Sequence, residues 1–160
     1  MKKWLQIMCL GMCIGLIGCG AAINLYQGEH FQMVLPEGWT IEEDAPGLYI
    51  LNGEEEIARI EYTTNSTSTT LDGILASWVG MHAYAEASEE IPLDGDGKLY
   101  EASVSFGLSA AQQEQGEKEE PARLHYFYIS GDGLLIDFSE INETYLEQVE
   151  AMAKSVKANE

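Results

Sequence analysis

From Lys98 to Leu108 the chain alternates with a period of two: Tyr100, Ala102, Val104 and Phe106 fall on one side, Glu101, Ser103 and Ser105 on the other. Successive side chains of an extended strand point to opposite faces, so the run predicts a strand with one face packed and one wet. A strand of this kind needs antiparallel partners, and the sequence supplies them between turn signals. His30 to Leu35 reads as a strand stopped by Pro36 and turned through Glu37-Gly38, and Trp39 to Glu42 starts a second. After the turn at Asp44 to Gly47, Leu48 to Leu51 and Glu56 to Tyr62 flank Asn52-Gly53, a hairpin signal. Ala122 to Ile129 and Leu134 to Phe138 flank Gly131-Asp132-Gly133 as another hairpin. Seven segments are of this kind, and they predict a sheet of about six strands.

Two segments follow the helical period instead. Leu71, Ile74, Leu75, Trp78, Val79 and His82 predict a helix from about Leu71 to Ala87, opened by Thr69 with Asp72 three residues on and weakened by Gly73 and Gly80. Ile141, Tyr145, Val149, Met152 and Val156 predict a closing helix from about Asn142 to Lys157, with Glu143 near its start and Lys154 and Lys157 near its end to suit the helix dipole. Ala110 to Pro121 reads as an acidic, glutamine-rich loop. Strands, a helix, more strands and a last helix define an α+β fold, an antiparallel curved sheet packed against a central and a C-terminal helix.

All three cysteines lie in the first 19 residues, so the rest of the chain folds without disulfides, cysteine metal sites or a catalytic thiol. Lys2 and Lys3, the apolar run from Trp4 to Ile17 and a small residue before Cys19 have the three parts of a secretory signal. Leu16-Ile17-Gly18-Cys19 resembles the lipobox of bacterial prolipoproteins. That resemblance implies cleavage between Gly18 and Cys19 and a diacylglycerol on the Cys19 sulfur, which would hold the domain at the extracytoplasmic side of the cell membrane. Cys9 and Cys13 each follow a methionine, too bulky for that position, and offer no rival lipobox. The competing reading is an uncleaved anchor, since no charged residue occurs from Trp4 to Gln27. Both readings export the domain. The expected organisation is a signal at 1–18, a short tether at 19–29 and a single domain at 30–158.

Lys2 and Lys3 are two of the eight basic residues, so the mature chain carries six against 27 acidic, a net −21. Binding a phosphate backbone needs a basic face, which excludes nucleic acid as a partner. Anionic headgroups would repel the domain, which leaves the lipid to hold it.

Phe31-x-Met33-x-Leu35-Pro36-x-Gly38-Trp39 resembles the opening of PsbP-like domains, where an amphipathic strand meets a Pro-x-Gly-Trp corner. The order of elements is similar too, through the last helix with Ser155-Val156-Lys157, so the resemblance covers about Phe31 to Lys157. It implies a curved antiparallel sheet flanked by helices, working as an accessory or binding module, and it assigns no functional residue.

The residues themselves carry little chemistry. There is no His-Glu-x-x-His pair, no Gly-x-Ser-x-Gly elbow and no phosphate loop with Lys-Ser/Thr. Of the three histidines, His82 reads as a partly buried packing residue on the central helix, and His30 and His125 stand on strands where they would meet across the sheet. Asp94-Gly95-Asp96-Gly97 with Glu101 beyond has a partial Ca²⁺-loop pattern, with Lys98 where a further acidic ligand would help. Tyr100, Tyr126 and Tyr128 would supply an aromatic groove, whereas Trp39 and Trp78 read as core. The leading expectation is a membrane-anchored lipoprotein that binds a ligand or assists an envelope protein. The alternatives are an envelope enzyme using carboxylates on a small or cationic substrate, and a weakly Ca²⁺-responsive module. No catalytic motif favours the enzyme.

Overall fold

The computed structural model describes residues 24–44, 47–78 and 81–159. Cys19 and the signal expected at 1–18 lie outside them. Among the described residues ten strands form two antiparallel sheets. The larger has seven strands, one more than the six expected from sequence. Three of them make a meander: β3 (Trp39–Asp44), β4 (Gly47–Asn52) and β5 (Glu55–Thr63). The Asn52-Gly53 signal is a two-residue loop, because Asn52 pairs with Glu55 and Gly53 takes φ +67° as its first residue.

From β5 the chain crosses the sheet through α1 (Leu71–Ser77) to the far edge. It then returns strand by strand, as β6 (Ala83–Ile91), β7 (Lys98–Phe106), β8 (Arg123–Ile129) and β9 (Leu135–Ser139). The order across the sheet is β3-β4-β5-β9-β8-β7-β6, so the last strand closes against β5 in the middle. The smaller sheet joins β1 (Asn24–Gln27), β2 (Phe31–Leu35) and β10 (Lys157–Ala158), with β2 central.

The two sheets share one core. Phe31, Met33 and Leu35 of β2 pack with Ile50, Ile60, Leu99, Tyr126, Tyr128, Ile136 and Phe138 of the large sheet. They are joined by Val149, Met152 and Ala153 of the closing helix α3 (Leu146–Lys154). A second cluster lies on the opposite face of the large sheet, where Leu71, Ile74 and Leu75 of α1 cover Ala102, Val104, Phe127 and Ile129. Tyr100 and Phe106 pack there as well, so the alternation that predicted β7 assigns its faces correctly.

Four boundaries differ from the sequence reading, each for a physical reason. The central helix stops at Ser77, ten residues short of Ala87. Trp78 caps it with non-helical torsions (φ −78°, ψ +63°), and residues 83–91 become an edge strand. Only Leu71, Ile74 and Leu75 are buried on the helix, too few to hold a longer one, while β7 offers a full ladder of backbone partners. The helix is capped by Thr70, whose Oγ1 accepts from the Gly73 amide at 3.2 Å, one residue later than Thr69. His82 therefore stands exposed in a turn with φ +49°, not half-buried on a helix.

At the N-terminus, Asn24 to Gln27 are not tether. They pair with β2 from Asn24↔Leu35 to Gln27↔Gln32. The Asn24 amide donates to the carbonyls of Pro36 (3.0 Å) and Trp39 (2.9 Å), which ties β1 to the Pro-x-Gly-Trp corner. The uncharged run that suggested a spanning anchor thus loses its last four residues to the domain. Among the described residues no helix is long and apolar enough to cross a membrane.

The acidic loop contains a short helix, α2 (Ala110–Glu114), because Ser109 and Gln112 form a capping box. The closing helix begins with a 3-10 turn at Glu143–Tyr145 and ends at Lys154. Ser155 then accepts from the Val34 amide at 2.8 Å and the chain turns into β10 beside β2.

Candidate functional site

The β7–β8 pairing sets Lys98 opposite Ile129, so the turn before β7 and the turn after β8 must emerge at the same end of the sheet. Between them and β10 lies an open cleft of about 610 Å³. Its lining includes the 92–97 segment with Asp94 and Asp96, and Asp132 from the β8–β9 turn. Lys154 from the end of α3 and Lys157 from β10 line it as well. So does Tyr128, its hydroxyl donating to the Asp96 carbonyl at 3.2 Å. Burial pushes the Tyr128 phenol above its usual pKa, against a hydrogen bond with the Ala158 backbone that lowers it and with the Asp96 charge adding to the rise. Gly97 makes this approach possible. It has φ +124°, and a Cβ there would sit 3.0 Å from both the Tyr128 ring and the Ile129 carbonyl. Lys154 is paired with Glu150, whereas Lys157 has no ion-pair partner among the described residues.

The sequence candidates separate in space. Asp94 and Asp96 line the cleft, but Glu101 lies along β7, opposite Glu89 on one side and Tyr126 on the other. Among the described residues no three histidine, cysteine, aspartate or glutamate side chains are grouped to hold a metal. The tyrosines do not form one groove. Tyr126 and Tyr128 are buried in the main core, and Tyr100 packs on the other face with α1. Burial first, then the Glu101 carboxylate, raises the Tyr126 pKa strongly.

The histidines do not meet either. His30 packs on the Tyr62 ring with centroids 5.5 Å apart. His125, on β8, is 5% exposed and donates Nδ1–H to Asp137 Oδ1 of β9 at 2.9 Å, beside Trp78 and Phe127. An aspartate that orients a histidine is half of an acid–base arrangement. Here the pair ties β8 to β9, and neither residue lines this cleft or a second one of about 330 Å³ at Met81, Phe106 and Leu108.

The sequence reading missed Asp132, Lys154 and Lys157 as neighbours of the Asp94–Gly97 turn. The first was recoverable, since the turn that enters β7 and the turn that leaves β8 must share one end of an antiparallel pair. The lysines were not, because the closing segment was read as helix through Lys157.

The solution structure of cyanobacterial PsbP (CyanoP) from Synechocystis sp. PCC 6803 superposes on 94% of this chain and 99% of its own, with a TM-score of 0.50 at 16% identity. The fold is PsbP-like. A crystal structure from Bacteroides thetaiotaomicron VPI-5482 is a looser match, with a TM-score of 0.46 and 14% identity over 81% of this chain. The chain spans 45% of that protein's length. No protein-family model and no curated protein matches the sequence. Within this fold the cleft lies at the end of the large sheet that β10 adjoins.

Proposed function

We propose that this chain is an extracytoplasmic lipoprotein, held to the membrane by diacylglycerol on Cys19, whose PsbP-like domain serves as a binding or accessory module. The observation that carries the binding role is the cleft, lined by aspartates from two turns, by Lys154 and Lys157, and by Tyr128. A ligand suited to it carries both charges, its ammonium toward Asp94, Asp96 and Asp132 and its carboxylate toward Lys157. Free amino acids and peptide termini are of this class. The lipobox supports the anchor, and the PsbP-like fold supports an accessory role in place of catalysis.

One experiment addresses each half. Cys19→Ser should release the protein from the membrane fraction and abolish fatty-acid labelling; unchanged labelling and fractionation would remove the anchor. A melting screen with amino acids, short peptides and Ca²⁺ should find a zwitterion that stabilises the domain, since a ligand bound only to the folded state raises its melting temperature. That shift should vanish in both Asp132→Lys and Lys157→Glu. No shift with any of these probes would remove the cleft as their site, and a Ca²⁺ shift alone would replace this reading with a cation-responsive one.

A further inference from the structure

The small sheet has an inner face in the core and an outer face that nothing among the described residues covers. Strand alternation sends Tyr26, Phe31, Met33, Leu35 and Ala158 inward, and all pack in or against the main core. It sends Leu25, Gln27, Gln32, Val34 and Lys157 outward. Leu25 is directly opposite Val34 in the register, and the two are 49% and 42% exposed. This is an apolar pair flanked by two glutamines and a lysine, without a carboxylate, on a mature chain of net −21.

Its place in the chain names the occupant. Asn24, the first residue of β1, comes five positions after Cys19. Fully extended, that connection reaches about 18 Å, so β1 stays close to the plane of the lipid headgroups whenever Cys19 is acylated. A face of this composition is the one part of the small sheet's surroundings that a bilayer would not repel. Carboxylates stand around it at Glu29 and Glu37, which flank β2 in the chain, and at Glu43, close to the Tyr26 phenol of β1.

We infer that the outer face of the small sheet rests on the bilayer interface, with Leu25 and Val34 entering the headgroup–acyl boundary. The inference depends on the Cys19 anchor and goes beyond it: the lipid sets the distance, and this face sets the orientation. The open face of β3, β4 and β5, with Glu42 and Glu61, would then point away from the membrane. Two apolar side chains are too little to hold the domain without the anchor, but enough to choose which side of a tethered domain lies down.

The test uses the full chain, processed in cells and reconstituted in phosphatidylcholine vesicles. Its only mature cysteine would be blocked by lipid, so Leu25→Cys, Val34→Cys and Glu42→Cys each take one thiol-reactive fluorophore. Flotation with the vesicles reports the anchor separately. The expected result is that labels at 25 and 34 are quenched several-fold more by lipid-borne nitroxide than the label at 42. In the background Leu25→Thr with Val34→Thr, which keeps strand-favouring residues, a label at Gln27→Cys should lose that quenching while the protein still floats. Protein that floats with equal, weak quenching at all three positions overturns the orientation and leaves the anchor standing. Labels shielded from aqueous quencher but untouched by the lipid quencher also overturn it, and assign the face to a second copy or another protein. Protein that does not float removes anchor and orientation together.

Discussion

The two packed regions of this molecule are built at different scales. On one face of the large sheet, nineteen buried residues from both sheets and α3 form a continuous core. On the other face seven buried residues gather under the short helix α1, beside β6, β7 and β8. The first region is held from two sides by elements distant in sequence, and it joins the beginning of the domain to its end through β2 and β10. The second is a local patch over one edge. Its outermost strand, β6, is rich in exposed glutamates and broken by a bulge between Ala85 and Ala87, features that discourage pairing with another chain. The difference predicts that stability is global on one face and local on the other.

The largest expected effect tests the main core. Phe138 is fully buried on β9, between Ile60 of β5 and Tyr126 of β8. Phe138→Ala should cost about 3–5 kcal/mol and lower the urea midpoint of the whole domain in a single transition. If only part of the amides lost protection, the core would not be the cooperative unit described above.

A smaller and more localised effect is expected on the other face. Ile74 is fully buried but lies on a helix of seven residues that can settle onto the sheet. Ile74→Ala should cost about 2 kcal/mol, and hydrogen exchange should quicken in α1 and β6 while β4, β5 and β9 keep their protection. Uniform loss across the sheet would erase the distinction between the two regions.

The smallest effect appears only in alkali. Tyr26, Tyr126 and Tyr128 all pack in or against the main core, and burial raises each phenol pKa above 10.0. A raised folded-state pKa gives stability that is fully present below the unfolded value and lost as the pH climbs toward the folded one. Melting temperature should therefore fall with rising pH above about 10, and Tyr126→Phe should fall less steeply there because its buried ring no longer titrates. An identical slope in the variant would show that Tyr126 does not contribute to this loss.

Much of the fold is legible in the residues. The alternation of β7, the Asn52-Gly53 loop and the Pro36-Glu37-Gly38 corner are local signals, and the structure keeps them. The α+β class follows from their order. The segment from Ala83 to Ile91 was not legible, because its alanines and glutamates favour a helix and only the free edge of β7 makes a strand the better state. Lys157 was misplaced for a similar reason. Val156 continues the helical period, yet its burial comes from the turn into β10. Of the cleft, the sequence showed the Asp94–Gly97 turn and overlooked Asp132 and the two lysines.

By itself the sequence determined the strands of the meander, the turns between them, the acidity of the domain and the absence of cysteine after position 19, since each rests on neighbouring residues or on composition. Tertiary structure alone decided that Asn24–Gln27 and Lys157–Ala158 flank β2, that Tyr100 parts from Tyr126 and Tyr128, and that Leu25 meets Val34 on an uncovered face. Those outcomes depend on backbone partners and buried surface contributed by segments as much as 131 residues apart, which no local pattern encodes.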